Sequence, residues 1–334
     1  MRRRWLVLLR LAIALLAVCL AGTAAAQFRR GFSGVRLASP GDFDGHFHFC
    51  RLVYQGNGRG GSWTTDFPRA DINMSIRLSE LTRTKVSFDG SGQPNHLLVR
   101  ATSDELFQCP FLIMAAPGSA VFNDEEAIRL REYVLKGGFL WADDFWGSFQ
   151  WEQWVSQLRK VLPADRYPII DIPLDHSLLR SQFEVMAIPQ IPNIGYFMRS
   201  GGDTSEQGAD SAEPHARFIA DDSGRIMVFM THNTDISDSW EREADDPTYF
   251  YTFGPRGYAF GINVLLHAMT HDNRYLAGVT YGPAPQTFST TALTVPAADR
   301  VAQSPAQWPR SPSDRFPCRD RSLARDVPRA VHQS

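Results

Sequence analysis

The stretch Val134-Leu135-Lys136-Gly137-Gly138-Phe139-Leu140-Trp141-Ala142-Asp143-Asp144 constrains the fold more than any other part of the chain. A helix is predicted to open at Asn123, with Glu126 three residues later as in a capping box. Ile128, Leu130, Tyr133, Val134 and Leu135 supply its apolar side, and Gly137 stands where a glycine ends a helix. Ahead of it, Phe111-Leu112-Ile113-Met114-Ala115-Ala116 is apolar on both faces and reads as a buried strand closing at Pro117-Gly118-Ser119. Behind it, Phe139 to Ala142 returns to the sheet. Strand, helix and strand at this spacing predict a βαβ unit and a parallel sheet. Asp143 and Asp144 then leave the sheet at its carboxyl edge, where open α/β sheets bind ligands.

The rest of the chain fits an α/β fold with a mostly parallel central sheet. Phe47 to Tyr54 is a strand apolar on both faces, and Gln55 to Gly61 is a loop with four glycines. Ala70 to Leu81 has helical spacing, with Asp71 in its first turn. Lys85–Phe88 and Leu97–Val99 read as short strands. Phe149 to Leu162 is a helix stopped by Pro163, with Trp151, Trp154, Val155 and Leu158 as a core-facing stripe. From Asp165 to Pro214 the pattern is irregular, and Gly201–Glu213 reads as an exposed polar loop. Ala216–Ala220 and Arg225–Met230 form strand, turn and strand. Asp238 to Arg256 reads as a long charged and aromatic loop before a last helix, Tyr258–Met269.

The two ends differ from the middle. Arg2-Arg3-Arg4, an apolar run from Trp5 to Leu20 broken by Arg10, and Ala24-Ala25-Ala26 make residues 1–26 a secretory signal. The expected location is therefore periplasmic or secreted; an inner-membrane anchor through residues 5–20 is the alternative, and membrane association is expected only in that case. Residues 27–46 form a lead-in, 47–276 the α/β domain, and 277–334 a proline-rich tail read as disordered. A formal net charge of -2 gives no basic field for nucleic acid. Once the signal with Cys19 is removed, Cys50, Cys109 and Cys318 remain. Export permits disulfides, but spacing cannot pair three distant cysteines. Cys50 and Cys109 are read as buried small hydrophobes.

If the sheet is parallel, several strand exits meet on one edge: Gln55–Trp63, Pro117–Ser119, Asp143–Asp144 and Thr231–Asn233. The candidate binding residues are Asp143, Asp144, His232, Asn233, Asp66, Trp63 and Arg51. A carboxylate pair with His and Asn can hold a divalent metal or share acid/base work. Asp143 and Asp144 are its candidate ligands. The competing reading gives one aspartate a helix cap and the other bonds to loop amides. The chain has no GxxxxGK[ST], no GxGxxG opening a helix, no HExxH and no GxSxG. Ser119 follows a strand but has Pro117 and Val121 where a nucleophile elbow needs glycines, so it reads as a turn residue.

Four features together resemble a known family: Arg51-Leu52-x-Tyr54, Trp63-Thr64-Thr65-Asp66-Phe67-Pro68, the Phe111 strand, and Gly137-Gly138-Phe139-Leu140-x-x-Asp143-Asp144. The chain is similar, from about Phe47 to Met269, to the bacterial domain of unknown function numbered 4159. That resemblance implies a flavodoxin-like three-layer sandwich of the class I glutamine amidotransferase-like kind. It implies no activity. Some members are fused to membrane segments or sit beside von Willebrand A-type proteins. Amidotransferases use a cysteine at a strand-to-helix elbow, activated by histidine. Here the matching strand exits into Asp143-Asp144, Cys50 lies within a strand and Cys109 precedes one. The expectation is an exported ligand- or protein-binding module without that nucleophile. The alternatives are a metal-assisted hydrolase using Asp143, Asp144 and His232, and a scaffold subunit partnered by cell-envelope proteins.

Overall fold

Every residue of Phe49–Val53, Phe111–Ala115, Phe139–Asp143 and Ile226–His232 is buried, as strands covered on both faces require. The computed structural model describes residues 36–270. In chain order its elements are β1 (Phe49–Val53), β2 (Gln55–Gly56), α1 (Arg69–Leu81), β3 (His96–Arg100), β4 (Phe111–Ala115), β5 (Ala120–Val121), α2 (Asp124–Leu135), β6 (Phe139–Asp143), α3 (Gly147–Val161), β7 (Ile170–Asp171), α4 (Ile194–Ser200), β8 (His215–Ala220), β9 (Ile226–His232), α5 (Asp238–Glu241) and α6 (Pro247–Thr270). The signal, the tail and the first residues of the lead-in lie outside the described residues.

Seven strands form one sheet in the order β3-β1-β4-β6-β9-β8-β7. The first five run parallel; β8 and β7 are antiparallel additions at one edge. Side chains alternate between two cores, as the two-residue period of a strand dictates. Leu52, Leu112, Met114, Leu140, Ala142 and Met230 pack with Leu130 and Val134 of α2 and with Trp154 and Leu158 of α3. Phe49, Phe111, Ile113, Phe139, Trp141 and Phe229 pack with Met74 and Leu78 of α1, Trp240 of α5 and Phe260 of α6. The result is a three-layer α/β sandwich, as expected.

The glycine pair ends α2 as its sequence requires. Gly137 has φ +112°, and a Cβ on Gly138 would lie 2.4 Å from the Tyr133 ring. That ring is fixed because its hydroxyl donates to the Cys109 carbonyl at 2.9 Å. The Asn123 capping box is present, with Asn123 Oδ1 accepting from the Glu126 amide.

Three expectations change. Cys50 and Cys109 are joined in a disulfide rather than being two separate hydrophobes. Strand neighbours β1 and β4 bring them to a Cα separation of 6.1 Å, which linear spacing does not reveal. The last helix begins at Pro247, not Tyr258. Proline suits a first turn, Tyr249 and Phe253 are buried, and Pro255 sits on the solvent side, where water can reach the carbonyl it leaves unbonded. Gly201–Glu213 is exposed for the most part, yet it contains a short helical turn, Gly208–Ser211, and Ser211 is buried. Among the described residues no helix is long and apolar enough to cross a membrane.

One buried ion pair joins the sheet to α1. Arg51 Nε donates to Asp71 Oδ1 and Oδ2 at 3.1 and 3.0 Å, and Nη2 to Oδ1 at 2.5 Å. Its Nη1 donates to the carbonyls of Trp63 and Thr65 at 3.2 and 3.0 Å. Removing one member leaves an unpaired buried charge. Arg51→Met should cost about 3–5 kcal/mol in urea unfolding, and Arg51→Met with Asp71→Leu should recover much of that loss. Equal losses in the single and double variants would show that the pair itself is not what matters.

Candidate functional site

Four non-glycine residues among those described have left-handed backbones: Asp66 (φ 63°), Ala116 (49°), Asp144 (63°) and Asn233 (59°). All four lie where the chain leaves or turns over the carboxyl ends of β1, β4, β6 and β9. Such conformations cost about 1 kcal/mol or more each and persist where the surroundings enforce them. The strand-exit edge is thus the strained part of the molecule.

Asp143 and Asp144 have different tasks. Asp143 is fully buried and serves as a structural acceptor. Its Oδ1 accepts from Thr231 Oγ1 at 2.5 Å, and its Oδ2 from the Ser237 amide and hydroxyl at 2.9 and 2.6 Å. Burial raises its pKa, opposed by these hydrogen bonds. This is the loop-amide role weighed from sequence. Asp144 caps no helix. It is half-buried, and its Oδ1 accepts only from Trp146 Nε1, at 3.1 Å. Burial, then the charges of Asp143 and Glu206, pushes its carboxyl well above the usual range.

Asp144 belongs to a centre that also holds Asp66, Asp235 and Asp238. One carboxylate oxygen each from Asp66, Asp235 and Asp238 lies within 4.8 Å of the other two, and all three residues are buried. Asp66 Oδ2 is buried without a hydrogen-bond partner. Desolvation, then Asp144 and Asp238, holds the Asp66 carboxyl well above its ordinary value. Desolvation, then Asp144 and Asp66, does the same to Asp235. Asp238 is the anchored member: Oδ2 accepts from the Ile194 amide at 2.9 Å and from the Tyr249 hydroxyl at 2.8 Å, and Oδ1 from Arg242 Nε at 3.2 Å. Half-buried Glu206 and Glu241 add further negative charge near Asp238. The guanidinium of Arg51, whose charge partly offsets this at Asp66, is already bound to Asp71.

The other sequence candidates lie elsewhere. His232 is on the opposite face of the sheet from Asp143. Thr231 bonds Asp143, and the next residue along β9 points the other way. The His232 ring packs on Phe145 and Trp151 at 4.9 and 5.1 Å. Arg217 can only donate, so Nδ1 of His232 accepts from it (3.3 Å) and Nε2 donates to the Gly147 carbonyl (3.0 Å). The sheet therefore separates His232 from Asp143, while Asp144 bonds Trp146 and His232 bonds Arg217 and the Gly147 carbonyl. Asn233 is structural: its Oδ1 accepts from the Gly147 amide at 2.9 Å and its Nδ2 donates to the Glu213 carbonyl. Trp63 is buried against Phe67, and Arg51 holds the loop that carries Asp66. Buried Ser119 donates to the Ala116 carbonyl, a turn role. Of the expected set, Asp66 and Asp144 share the acidic centre; Asp143 supports it from below. Asp235 and Asp238 were not among the sequence candidates, although an Asp-x-x-Asp pair just past a strand exit is a readable signal. Glu206 was missed inside the segment taken for an exposed loop.

Buried carboxylates this close can bind a cation or share protons for acid/base work. Oxygen-only donors suit a hard divalent metal, and the residues that fit are Asp66, Asp235 and Asp238 rather than Asp143.

The packing of His232 has a pH consequence. Burial lowers its pKa to about 4 from an unfolded value near 6.5, so the unfolded chain binds more protons between those limits. Stability from this residue is present above pH ~6.5 and is lost as pH falls toward ~4, by up to about 3 kcal/mol. The raised carboxylates act in the opposite direction. His232→Gln should therefore flatten this component of stability against pH in denaturant titrations. Identical slopes for both proteins in that window would refute the assignment.

No curated protein matches this chain. A family model described as a domain of unknown function, DUF4159, matches residues 48–269, from the first residues ahead of β1 to the end of α6. That range contains the sheet, Arg51 and every carboxylate of the acidic centre. The chain belongs to the DUF4159 family.

Proposed function

We propose that this domain is an exported binding module that takes a positively charged ligand or group at the strand-exit edge, and does not work by thiol hydrolysis. The supporting observation is the cluster of buried Asp66, Asp235 and Asp238, electrostatically coupled to half-buried Asp144, in which Asp66 Oδ2 has no hydrogen-bond partner and the guanidinium of Arg51 is committed to Asp71. Isolated buried carboxylates are costly, and a partner of opposite charge removes that cost. Both described cysteines are in the disulfide, which leaves no thiol at the strand exits among the described residues. The disulfide and the signal-like N-terminus both favour an oxidising compartment.

Two outcomes are expected. In chelator-treated protein, Asp66→Asn should raise the melting temperature at pH 7.5, because it removes a carboxyl whose ionisation burial, Asp144 and Asp238 all oppose. Cationic probes such as spermidine or divalent metal chlorides should stabilise the wild-type chain in thermal shift assays, while citrate at matched ionic strength should not. Stabilisation by anions alone would overturn the reading.

A further inference from the structure

The geometry points to a hard divalent cation, held by Asp66, Asp235 and Asp238, as the charged group that this centre takes. The inference rests on the reading of the edge as a cation-binding site and names the class of ligand. Three observations carry it. The first is spacing: three carboxylate oxygens within 4.8 Å of one another can all reach one ion at metal–oxygen distances of about 2.3–2.6 Å, as calcium prefers. The second is the unpartnered Asp66 Oδ2, buried on a residue that is only 7% exposed. A buried carboxylate oxygen without a donor is rare and calls for a partner that the polypeptide does not supply. The third is the way the three side chains are presented. Asp66 stands on a left-handed residue of a loop that Arg51 grips by its Trp63 and Thr65 carbonyls. Asp235 and Asp238 are locked together, since Asp235 Oδ1 accepts from the Asp238 amide at 2.9 Å. Asp238 is held by Tyr249, Arg242 and the Ile194 amide. Ligands fixed before the ion arrives need little reorganisation to bind it.

The donor set decides the chemical class. It contains only carboxylate oxygens, which suit calcium, magnesium or manganese and disfavour softer metals. An organic ammonium would need room for its carbon skeleton, whereas three buried groups at this spacing enclose a single ion.

The test uses the full chain, stripped with chelator and titrated with calcium, magnesium and manganese chlorides, and separately with spermidine, by calorimetry and thermal shift. Saturable binding of at least one metal at one ion per chain is expected, with a raised melting temperature. Asp66→Asn is the main variant: Asp66 Oδ2 has no hydrogen-bond partner among the described residues and asparagine tolerates a left-handed backbone, so it should fold while binding at least about tenfold more weakly. Asp222→Asn, in an exposed turn, should bind as the wild type does. Terbium luminescence displaced by calcium gives a second readout that does not depend on stability. Stabilisation by spermidine with no effect of any metal would overturn the metal and leave the cation-binding reading standing. No effect of either probe would overturn both. Metal binding unchanged in Asp66→Asn would place the ion elsewhere and overturn this ligand set.

Discussion

The two-pronged contact between Arg51 and Asp71 sets the position of nearly everything on the working edge. It lies within the sandwich, with both side chains shut off from solvent. A guanidinium there needs acceptors, and each of the three nitrogens of Arg51 finds one, from one carboxylate and two carbonyls. Those carbonyls belong to the segment between β1 and α1, so the charge that binds the helix to the sheet also shapes the loop that carries Asp66. A lysine could not make this fork of bonds. The loop is thereby held in a left-handed turn that a freer chain would leave.

Around that fixed loop the protein tolerates a local excess of one charge. Asp143 shows how the fold treats an acidic group it needs for structure: both oxygens receive several donors, from β9 and the segment after it. Asp66 shows the opposite treatment, with a buried oxygen and no donor. Two aspartates within one sheet edge therefore sit in contrasting environments. Structure alone gains nothing from the second arrangement, which is why it carries the functional argument.

Much of this was legible in the chain. The capping box at Asn123, the glycine pair and the doubly apolar strands located the βαβ core, because those signals are local. The carboxyl edge was legible too, since strand direction follows from the crossover. Which aspartate faced solvent was not, because that depends on side-chain alternation carried across from β9: Thr231 takes the side of Asp143, and His232 the other. The pairing of Cys50 with Cys109 was likewise invisible, being set by strand neighbours rather than by spacing. Asp235 and Asp238 escaped notice because the segment after them reads as charged loop, whereas Tyr249 and Phe253 are buried in a helix that starts at a proline.

The disulfide has one more consequence. It closes a ring of chain from Cys50 to Cys109, with a sequence separation of 59, and the exposed glycine segment around Asn57–Gly61 lies inside that ring. A protease that nicks those glycines would not release a fragment: the two pieces would migrate together on a non-reducing gel and part only when a reductant is added. This exposed stretch could thus be cut without the molecule coming apart.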